Sequence, residues 1–211
     1  GGLVGVPSLF VRASGCNLRC SWCDTPYASW NPEGDDRTVA EILAEASVYP
    51  AARHVVLTGG EPMIMPEIVS LSEGFRRLGM HVTLETAGTV YAPVACDLMS
   101  ISPKLRNSTP EGPFQQQHER LRLQPEVLMR LMAAYEYQLK FVIATPEDVE
   151  EARVVIDAVH GEPQKVILMA EGTSEATLNE RGLWIAEICK TYGYRFSPRL
   201  HVHLYGNRRG T

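Results

Sequence analysis

The sequence has no long hydrophobic run and no excess of basic residues. No apolar stretch approaches the roughly 20 residues that a membrane-spanning helix needs. The first residues, 1–5, lack the charged and apolar regions of a signal peptide. A net charge of −5 argues against broad nucleic-acid binding, which usually requires a basic face. We therefore expect neither a membrane nor a nucleic acid as a partner.

Cysteine is also scarce, with 5 residues among 211. An odd, small number of cysteines is not typical of a disulfide framework and favours a reducing, cytoplasmic location. Internal repeats, low-complexity tracts and linkers are absent as well. A chain of this length with 45% hydrophobic residues is expected to form a single domain, 1–211.

Strand and helix patterns alternate along the chain, which predicts parallel βαβ units in an α/β sheet or barrel. The expected strands are 8–13, 54–58, 81–85, 97–102, 138–144, 165–169 and 199–204. The expected helices are 39–48, 66–78, 125–135, one after Thr145-Pro146, and 175–192. Thr38 and Glu41 form a capping-box pattern at the first helix, and Gly79 ends the second. The polar segment 105–123 is expected to be a mobile loop.

Three of the cysteines, Cys16, Cys20 and Cys23, lie in one short loop directly after the first strand. Reduced thiolates this close together bind a metal or a cluster. A structural zinc site requires four closed ligands. A four-iron cubane held by three thiolates leaves one iron open for chemistry.

Polar residues follow the ends of several predicted strands, where parallel α/β folds bind their ligands. These residues are Arg12, Thr58 to Glu61, Glu85-Thr86, Ser102 to Lys104, and His201. The pair Gly59-Gly60 is by itself equally compatible with a simple turn. Together, the strand ends predict a shared rim that carries a cluster loop, a glycine turn, a carboxylate and a lysine.

Several motifs occur in order along the whole chain: Phe10-Val11-Arg12, Gly15-Cys16-Asn17-Leu18-Arg19-Cys20, Trp22-Cys23-Asp24-Thr25, Thr58-Gly59-Gly60-Glu61-Pro62, Leu84-Glu85-Thr86-Ala87-Gly88-Thr89, Ile101-Ser102-Pro103-Lys104, Leu200-His201 and Gly206-Asn207-Arg208-Arg209-Gly210. Together they resemble the motifs of the 7-carboxy-7-deazaguanine synthases of the radical S-adenosylmethionine (SAM) superfamily.

This resemblance implies an α/β fold, a partial (β/α) barrel of the radical SAM type, in a homodimer. It also implies conversion of 6-carboxy-5,6,7,8-tetrahydropterin to 7-carboxy-7-deazaguanine with loss of ammonia, a step towards the 7-deazapurines of queuosine-type tRNA bases. Flavodoxin or ferredoxin would supply the electron. The reduced cluster would cleave SAM, and the resulting 5′-deoxyadenosyl radical would abstract hydrogen from the substrate.

Roles for individual residues follow from the same resemblance. Within a cluster loop at 14–37, a [4Fe–4S] cluster would be held by Cys16, Cys20 and Cys23, and Mg²⁺ by the hydroxyl of Thr25. SAM would contact Trp22, Asp24, Gly60, Glu85, Ser102, Pro103 and Lys104. The substrate would contact Arg12, Thr58, His201 and, through a C-terminal tail at 205–211, the terminal carboxylate of Thr211.

The chain departs from the family's pattern in two places. The family has Gln-Gly-Glu-Gly before the first strand, and Gly1 matches only its last glycine, so the Gln and Glu expected to recognise the pterin are not in this sequence. Some family members have a glutamine near the adenosine of SAM in the segment that corresponds to residues 168–172. This chain has Leu-Met-Ala-Glu-Gly there, and we predict no SAM contact from it.

Two alternatives are a glycyl-radical activase and a non-catalytic module with a structural zinc. The Trp22 to Thr25 run and the Ser102-Pro103-Lys104 motif argue against the activase, and the module has no evident fourth ligand. Cys96 and Cys189 are expected to be core thiols. Four further histidines show no ligand spacing and are expected to be structural or surface groups: His54, His81, His118 and His160.

Overall fold

Seven strands form one sheet in residues 1–209, the part of the chain that the computed structural model describes. The strands are β1 (Leu9–Ala13), β2 (His54–Gly59), β3 (His81–Thr86), β4 (Leu98–Ile101), β5 (Tyr137–Ile143), β6 (Val166–Ala170) and β7 (Arg195–Phe196). The α-helices are α1 (Pro26–Ser29), α2 (Val39–Ala46), α3 (Ile68–Arg77), α4 (Gln115–Leu121), α5 (Pro125–Ala134), α6 (Pro146–Ala158), α7 (Glu175–Tyr192) and α8 (Leu200–Tyr205). Short 3₁₀ turns lie at Pro62–Ile64, Arg106–Ser108 and Pro163–Lys165.

Every neighbouring pair of strands is parallel, and the order in the sheet is the order in the chain. Over the described residues, β1 pairs only with β2 and β7 only with β6, so the sheet curves without closing. The expected α/β partial barrel is therefore confirmed. Because all strands run the same way, their carboxyl ends meet at one rim, next to the loops that carry the predicted site.

The two faces of the sheet differ because successive side chains of a strand point to opposite sides. The outer face is apolar and packs against α3, α5, α6 and α7. Its core includes Leu57, Leu84, Ile101, Leu139, Phe141 and Leu168, all almost fully buried. The alternate positions face the inside of the barrel and carry Thr58, Glu85, Ser100, Gln138 and Lys140. The sheet thus presents a polar surface to the space where a ligand would lie.

Several helix boundaries agree with their sequence signals. Thr38 accepts from the backbone of Glu41 and Glu41 binds back to Thr38, which completes the predicted capping box at α2. Pro146 occupies the first turn of α6, as expected. Gly79 follows α3 with a φ of 72°, a left-handed conformation that favours glycine.

Two secondary-structure predictions are wrong. Residues 199–204 were expected to form a strand but lie largely in helix α8, because the apolar alternation does not mark one buried face: Val202 is buried while Leu204 is 61% exposed. The segment 105–123 was expected to be a loop but contains the turn Arg106–Ser108 and helix α4. Buried Arg122 in this segment forms ion pairs with Glu119 of the same segment and with Glu151 of α6.

Among residues 1–209, no helix combines the length and apolar character needed to cross a membrane.

Candidate active site

The three-cysteine loop begins where β1 ends and is fixed to the glycine turn after β2. The N–H of Gly60 donates to the carbonyl of Ala13 at 2.9 Å, and the N–H of Glu61 donates to the carbonyl of Gly15 at 2.9 Å. The N–H of Gly15 in turn donates to Ala28 at 2.8 Å. The loop and the turn are therefore one hydrogen-bonded unit at the rim of the sheet.

The close backbone contact between the glycine turn and the cluster loop requires a glycine at position 60. A Cβ atom at this position would overlap the carbonyl oxygens of Gly15 and Ala28. We expected the missing side chain to give a ligand access to the backbone. The structure shows that the missing side chain lets the backbone of the cluster loop, at Gly15 and Ala28, pack directly against the turn.

The other side of the loop rests on the segment after β4. The N–H of Ser21 donates to the carbonyl of Ser108 at 2.8 Å, and the indole of Trp22 donates to the side chain of Asn107 at 3.2 Å. Asn107 also donates to the carbonyl of Val142 on β5 at 3.0 Å. The segment that was expected to be mobile thus supports the cluster loop.

Ser102 and Lys104 lie beside the cysteines. The ammonium of Lys104 donates to the carbonyl and hydroxyl of Ser102 at 2.7 and 3.0 Å and lies 6.0 Å from the ring centroid of Trp22. Its positive charge also acts on the thiols of Cys16 and Cys20. Pro103 between them is buried. The structure therefore brings the Ser-Pro-Lys motif to the cysteine loop.

The electrostatics of the cysteines fit a cationic cluster. Burial raises the pKa of Cys20 to about 12 and also raises that of Cys16, and Cys23 adds to both effects. A thiolate in such surroundings needs a nearby positive charge, which bound iron provides. Within the described range, no three His, Cys, Asp or Glu side chains converge to hold a single ion. A cubane does not require this convergence, because each cysteine ligates a different iron.

Asp24 and Thr25 follow the last cysteine of the loop. Asp24 forms an ion pair with Arg199, which precedes α8, so the loop is also tied to the C-terminal part of the chain. Arg199 is buried and donates to the carbonyl of Gly172 at 3.2 Å, while its Nε atom has no hydrogen-bond partner. The hydroxyl of Thr25 lies 3.7 Å from the sulfur of Cys23. A cation held by Thr25 would therefore lie close to the sulfur of Cys23.

On the inner face, Glu85 connects three strands. Its carboxylate accepts from the hydroxyl of Thr58 at 3.0 Å and from the ammonium of Lys140 at 3.3 Å. The charge of Lys140 is the largest cause that lowers the pKa of Glu85 to about 2. Arg12 lies opposite Thr58 on β1 and is exposed, with its guanidinium 5.8 Å from the ring centroid of Phe10. These charged groups line the inside of the barrel.

The N-terminal residues enter the lower part of this space. The N–H of Gly2 donates to the side chain of Gln138 at 2.8 Å, and Gln138 donates to the hydroxyl of Ser100 at 2.8 Å. The amino group of Gly1 donates to the hydroxyl of Ser197 at 2.7 Å, just after β7. The segment therefore reaches from β1 across to the opposite edge of the open sheet.

Sequence reasoning missed Lys140 and Arg199, and it placed His118 only among the structural or surface histidines. Lys140 could have been predicted from the sequence. It lies two residues after Gln138 in the otherwise apolar strand β5, and this alternation indicates that one face of the strand is polar. Arg199 and His118 carried no such signal, since their partners are distant in sequence. His201 is on helix α8 rather than on a strand, and its ring is close enough to Arg199 and Asp24 to respond to their charges. Thr211 lies outside the described residues.

Comparisons with known proteins agree with this geometry. The family model described as "Radical SAM superfamily" matches residues 10–106. A 7-carboxy-7-deazaguanine synthase of Rhodopirellula baltica is 42% identical, with 100% of this chain and 84% of that protein covered. The chain belongs to the 7-carboxy-7-deazaguanine synthase family. Another member, from Halobacterium salinarum, is 41% identical, with 98% of this chain and 86% of that protein covered.

Solved structures show the same fold. QueE from Escherichia coli superposes with a TM-score of 0.70 at 22% identity, covering 94% of this chain and 88% of that one. SuiB from Streptococcus suis superposes with a TM-score of 0.64 at 10% identity, covering 95% of this chain and 52% of that one. At these identities the likeness concerns the fold alone.

Membership of the radical SAM synthase family makes the chain an enzyme and implies a [4Fe–4S] cluster and SAM. The residues present fit these groups. Cys16, Cys20 and Cys23 are free thiols on one anchored loop, and Lys104 adds a positive charge beside them.

Proposed function

We propose that the chain converts 6-carboxy-5,6,7,8-tetrahydropterin to 7-carboxy-7-deazaguanine with release of ammonia, in the biosynthesis of queuosine-type 7-deazapurines. Relatives with this name match the chain over nearly its whole length. The observation that carries the proposal is the anchoring of the three-cysteine loop, on one side to the glycine turn and on the other to the Ser108 segment. Residues 1–211 would act as one domain, which the single continuous sheet supports.

The cofactor half of the site would be formed at the rim. Cys16, Cys20 and Cys23 would hold the cluster, which with bound SAM supplies a 5′-deoxyadenosyl radical that abstracts hydrogen from the substrate. SAM would lie along residues predicted from sequence: Trp22, Asp24, Gly60, Glu85 and the run 102–104. Lys104 would contribute its charge there, since its ammonium is already oriented by Ser102.

The substrate half would be formed by the inner face. Arg12 is exposed towards this space, and a guanidinium matches a carboxylate in two parallel hydrogen bonds. Thr58 and Lys140 would add hydrogen-bonding groups, oriented by their shared partner Glu85. His201 on α8 would cover the space from the C-terminal side, and the terminal carboxylate of Thr211 would complete it.

Magnesium would bind at the hydroxyl of Thr25, between the cluster loop and the substrate. A hard cation prefers oxygen ligands, so the substrate's carbonyl and carboxylate would share it with water. Asp24 would not be a free ligand for this ion, since its carboxylate already pairs with Arg199. In this arrangement the two-residue spacing from Cys23 to Thr25 would set the distance between cluster and substrate.

The remaining partners follow from the same assignment. A flavodoxin or ferredoxin would deliver the electron, and two chains would form a homodimer. A cytoplasmic location is supported by the free thiols, because a cluster ligated by reduced cysteine needs a reducing compartment.

Anaerobic reconstitution with iron and sulfide tests the proposal. With SAM and a one-electron reductant added, we expect a brown protein that forms 5′-deoxyadenosine only when the carboxytetrahydropterin is present, together with a product of the mass of 7-carboxy-7-deazaguanine. Cys20→Ala should lose colour and turnover. The matched control Cys96→Ala, at a half-buried cysteine away from the loop, should keep both.

A second variant tests the magnesium site. Thr25→Ala should keep the colour but lower turnover and its dependence on Mg²⁺. Unchanged turnover and Mg²⁺ dependence would refute the role of Thr25. Formation of 5′-deoxyadenosine with a glycyl-radical protein, and not with the pterin, would refute the synthase assignment.

A further inference from the structure

His118 joins helix α4 to the cluster loop. Its side chain is almost fully buried, at 1% exposure. Its Nδ1 atom accepts from the backbone N–H of Arg19 at 3.1 Å, and its Nε2 atom lies 2.9 Å from the hydroxyl of Ser108. Arg19 lies between the first two cysteines of the loop. The histidine therefore contacts the backbone that separates Cys16 from Cys20.

The hydrogen bonds define the protonation state of this ring. A backbone N–H can only donate, so Nδ1 of His118 carries no proton. The hydroxyl of Ser108 gives its single proton to the carbonyl of Leu105 at 2.6 Å, and its oxygen therefore accepts from the Nε2–H of His118. The ring is neutral with both nitrogens satisfied. Burial, which lowers the pKa of His118, acts in the same direction.

The bond to Arg19 matters because the loop has no regular secondary structure at this point. A backbone N–H outside helices and strands needs another partner when water is excluded. The side chain of Arg19 is also engaged, donating to the carbonyls of Cys16 and Leu18 at 2.7 and 2.8 Å. With Ser108 accepting from Ser21 at 2.8 Å, the loop is held on both sides of Cys20.

We propose that His118 is a positioning residue for the cluster: by accepting from the N–H of Arg19 it holds Cys16 and Cys20 in the conformation that ligates iron. The inference rests on the proposed cluster site. It concerns a residue that acts through the loop backbone and does not touch the iron, the SAM or the substrate.

Three substitutions separate the two hydrogen bonds of the ring. His118→Asn keeps an acceptor near the Nδ1 position, His118→Gln keeps a donor near the Nε2 position, and His118→Leu removes both. His160→Asn serves as the control, because His160 is exposed, lies just after α6 and has a φ of 55°, a conformation that asparagine tolerates.

The first readout is amide hydrogen exchange at Arg19 in the apoprotein, which does not depend on the cluster. We expect exchange at least about tenfold faster in the Leu and Gln variants and close to the parent rate in the Asn variant and in the control. Far-UV circular dichroism on the same samples checks that each variant is folded.

The second readout is the half-life of the reconstituted cluster under challenge with an iron chelator, followed by absorbance and iron content. It should fall several-fold in His118→Leu and His118→Gln and recover in His118→Asn. The proposal is overturned if the folded Leu and Gln variants keep the parent's exchange rate and cluster half-life. It is also overturned if the Asn variant fails as severely as the Leu variant.

The proposed function and the positioning role of His118 can be refuted independently of each other. If the parent protein binds no cluster, the proposed function fails, and the exchange rate of Arg19 still decides whether His118 holds the loop. If the parent binds a cluster and the folded His118 variants keep the same cluster half-life, only the positioning role of His118 is refuted.

Discussion

Glu61 offers a quantitative test of how the glycine turn is held. Its side chain is fully buried, at 0% exposure, next to the turn that anchors the cluster loop. One carboxylate oxygen accepts from the N–H of Met63 at 3.1 Å and the hydroxyl of Thr86 at 2.7 Å, and the other accepts from the N–H of Ala87 at 2.8 Å. Burial raises the pKa of Glu61, and these three bonds oppose that shift.

Glu61→Gln keeps the shape but replaces one acceptor oxygen with an NH₂ donor. In either orientation this NH₂ group faces a donor on Ala87 or the donors on Met63 and Thr86, and at least one buried N–H or O–H loses its partner. Leaving one such group unsatisfied costs about 1–3 kcal/mol. For a chain of this size that lowers the midpoint of thermal unfolding by roughly 2–12 °C, at about 2–4 °C per kcal/mol.

Thermal unfolding of the apoprotein, followed by far-UV circular dichroism, measures this effect. The matched control is Glu73→Gln, because Glu73 is 52% exposed on α3 and its only ion-pair partner in the described structure is Arg77 at 3.6 Å. We expect the control to change stability by no more than about 0.5 kcal/mol. If Glu61→Gln unfolds within about 1 °C of the parent, the argument that this carboxylate holds the turn is wrong.

Three further predictions concern the loop and the inner face. Gly60→Ala should lower the iron content of the reconstituted protein by more than half, because its methyl group would overlap backbone oxygens, whereas a parent-like iron content would contradict the packing. Lys140→Met should raise the pKa of Glu85 from about 2 by roughly 1–3 units, measurable by carbon-detected NMR titration. Since the folded pKa lies below the usual 4.5, Glu85 stabilises the parent above pH 4.5 and loses that contribution as the pH falls towards 2, so the variant should lose less stability over this window. Asp24→Ala should cost about 1–3 kcal/mol in urea denaturation, because the guanidinium of Arg199, at 6% exposure, loses its ion-pair partner. Arg199→Met should cost less, because the carboxylate of Asp24 is 41% exposed and stays hydrated. Equal costs would contradict the burial argument.

The fold was largely predictable because its signals are local. Period-two strands, capping boxes and glycine stops depend on residues near one another in sequence, and the apolar strands β2, β5 and β6 are buried as such runs predict. The prediction failed at 199–204 because a short alternating run fits either a strand or one and a half helical turns. Only the surrounding packing decides between them.

The site was partly predictable for a related reason. Residues at strand ends could be placed at one rim from topology alone, which put Thr58, Glu85 and Lys104 near the cysteines. Side chains that act across the fold could not be placed in this way. His118 meets Arg19 across 99 positions of sequence, and its role depends on a helix where a loop was expected.

The order of the strands has a consequence for the growing chain. Each strand pairs with the one synthesised just before it, so the sheet can extend strand by strand as the polypeptide emerges from the ribosome. The ion pair between Asp24 and Arg199 is different, since it joins residues 175 positions apart. At synthesis rates of about 5–20 residues per second, Arg199 is made roughly 9–35 s after Asp24, so the ion pair cannot form earlier. The loop can therefore form its backbone contacts with Gly60 and Glu61 before its ion pair with Arg199 becomes possible.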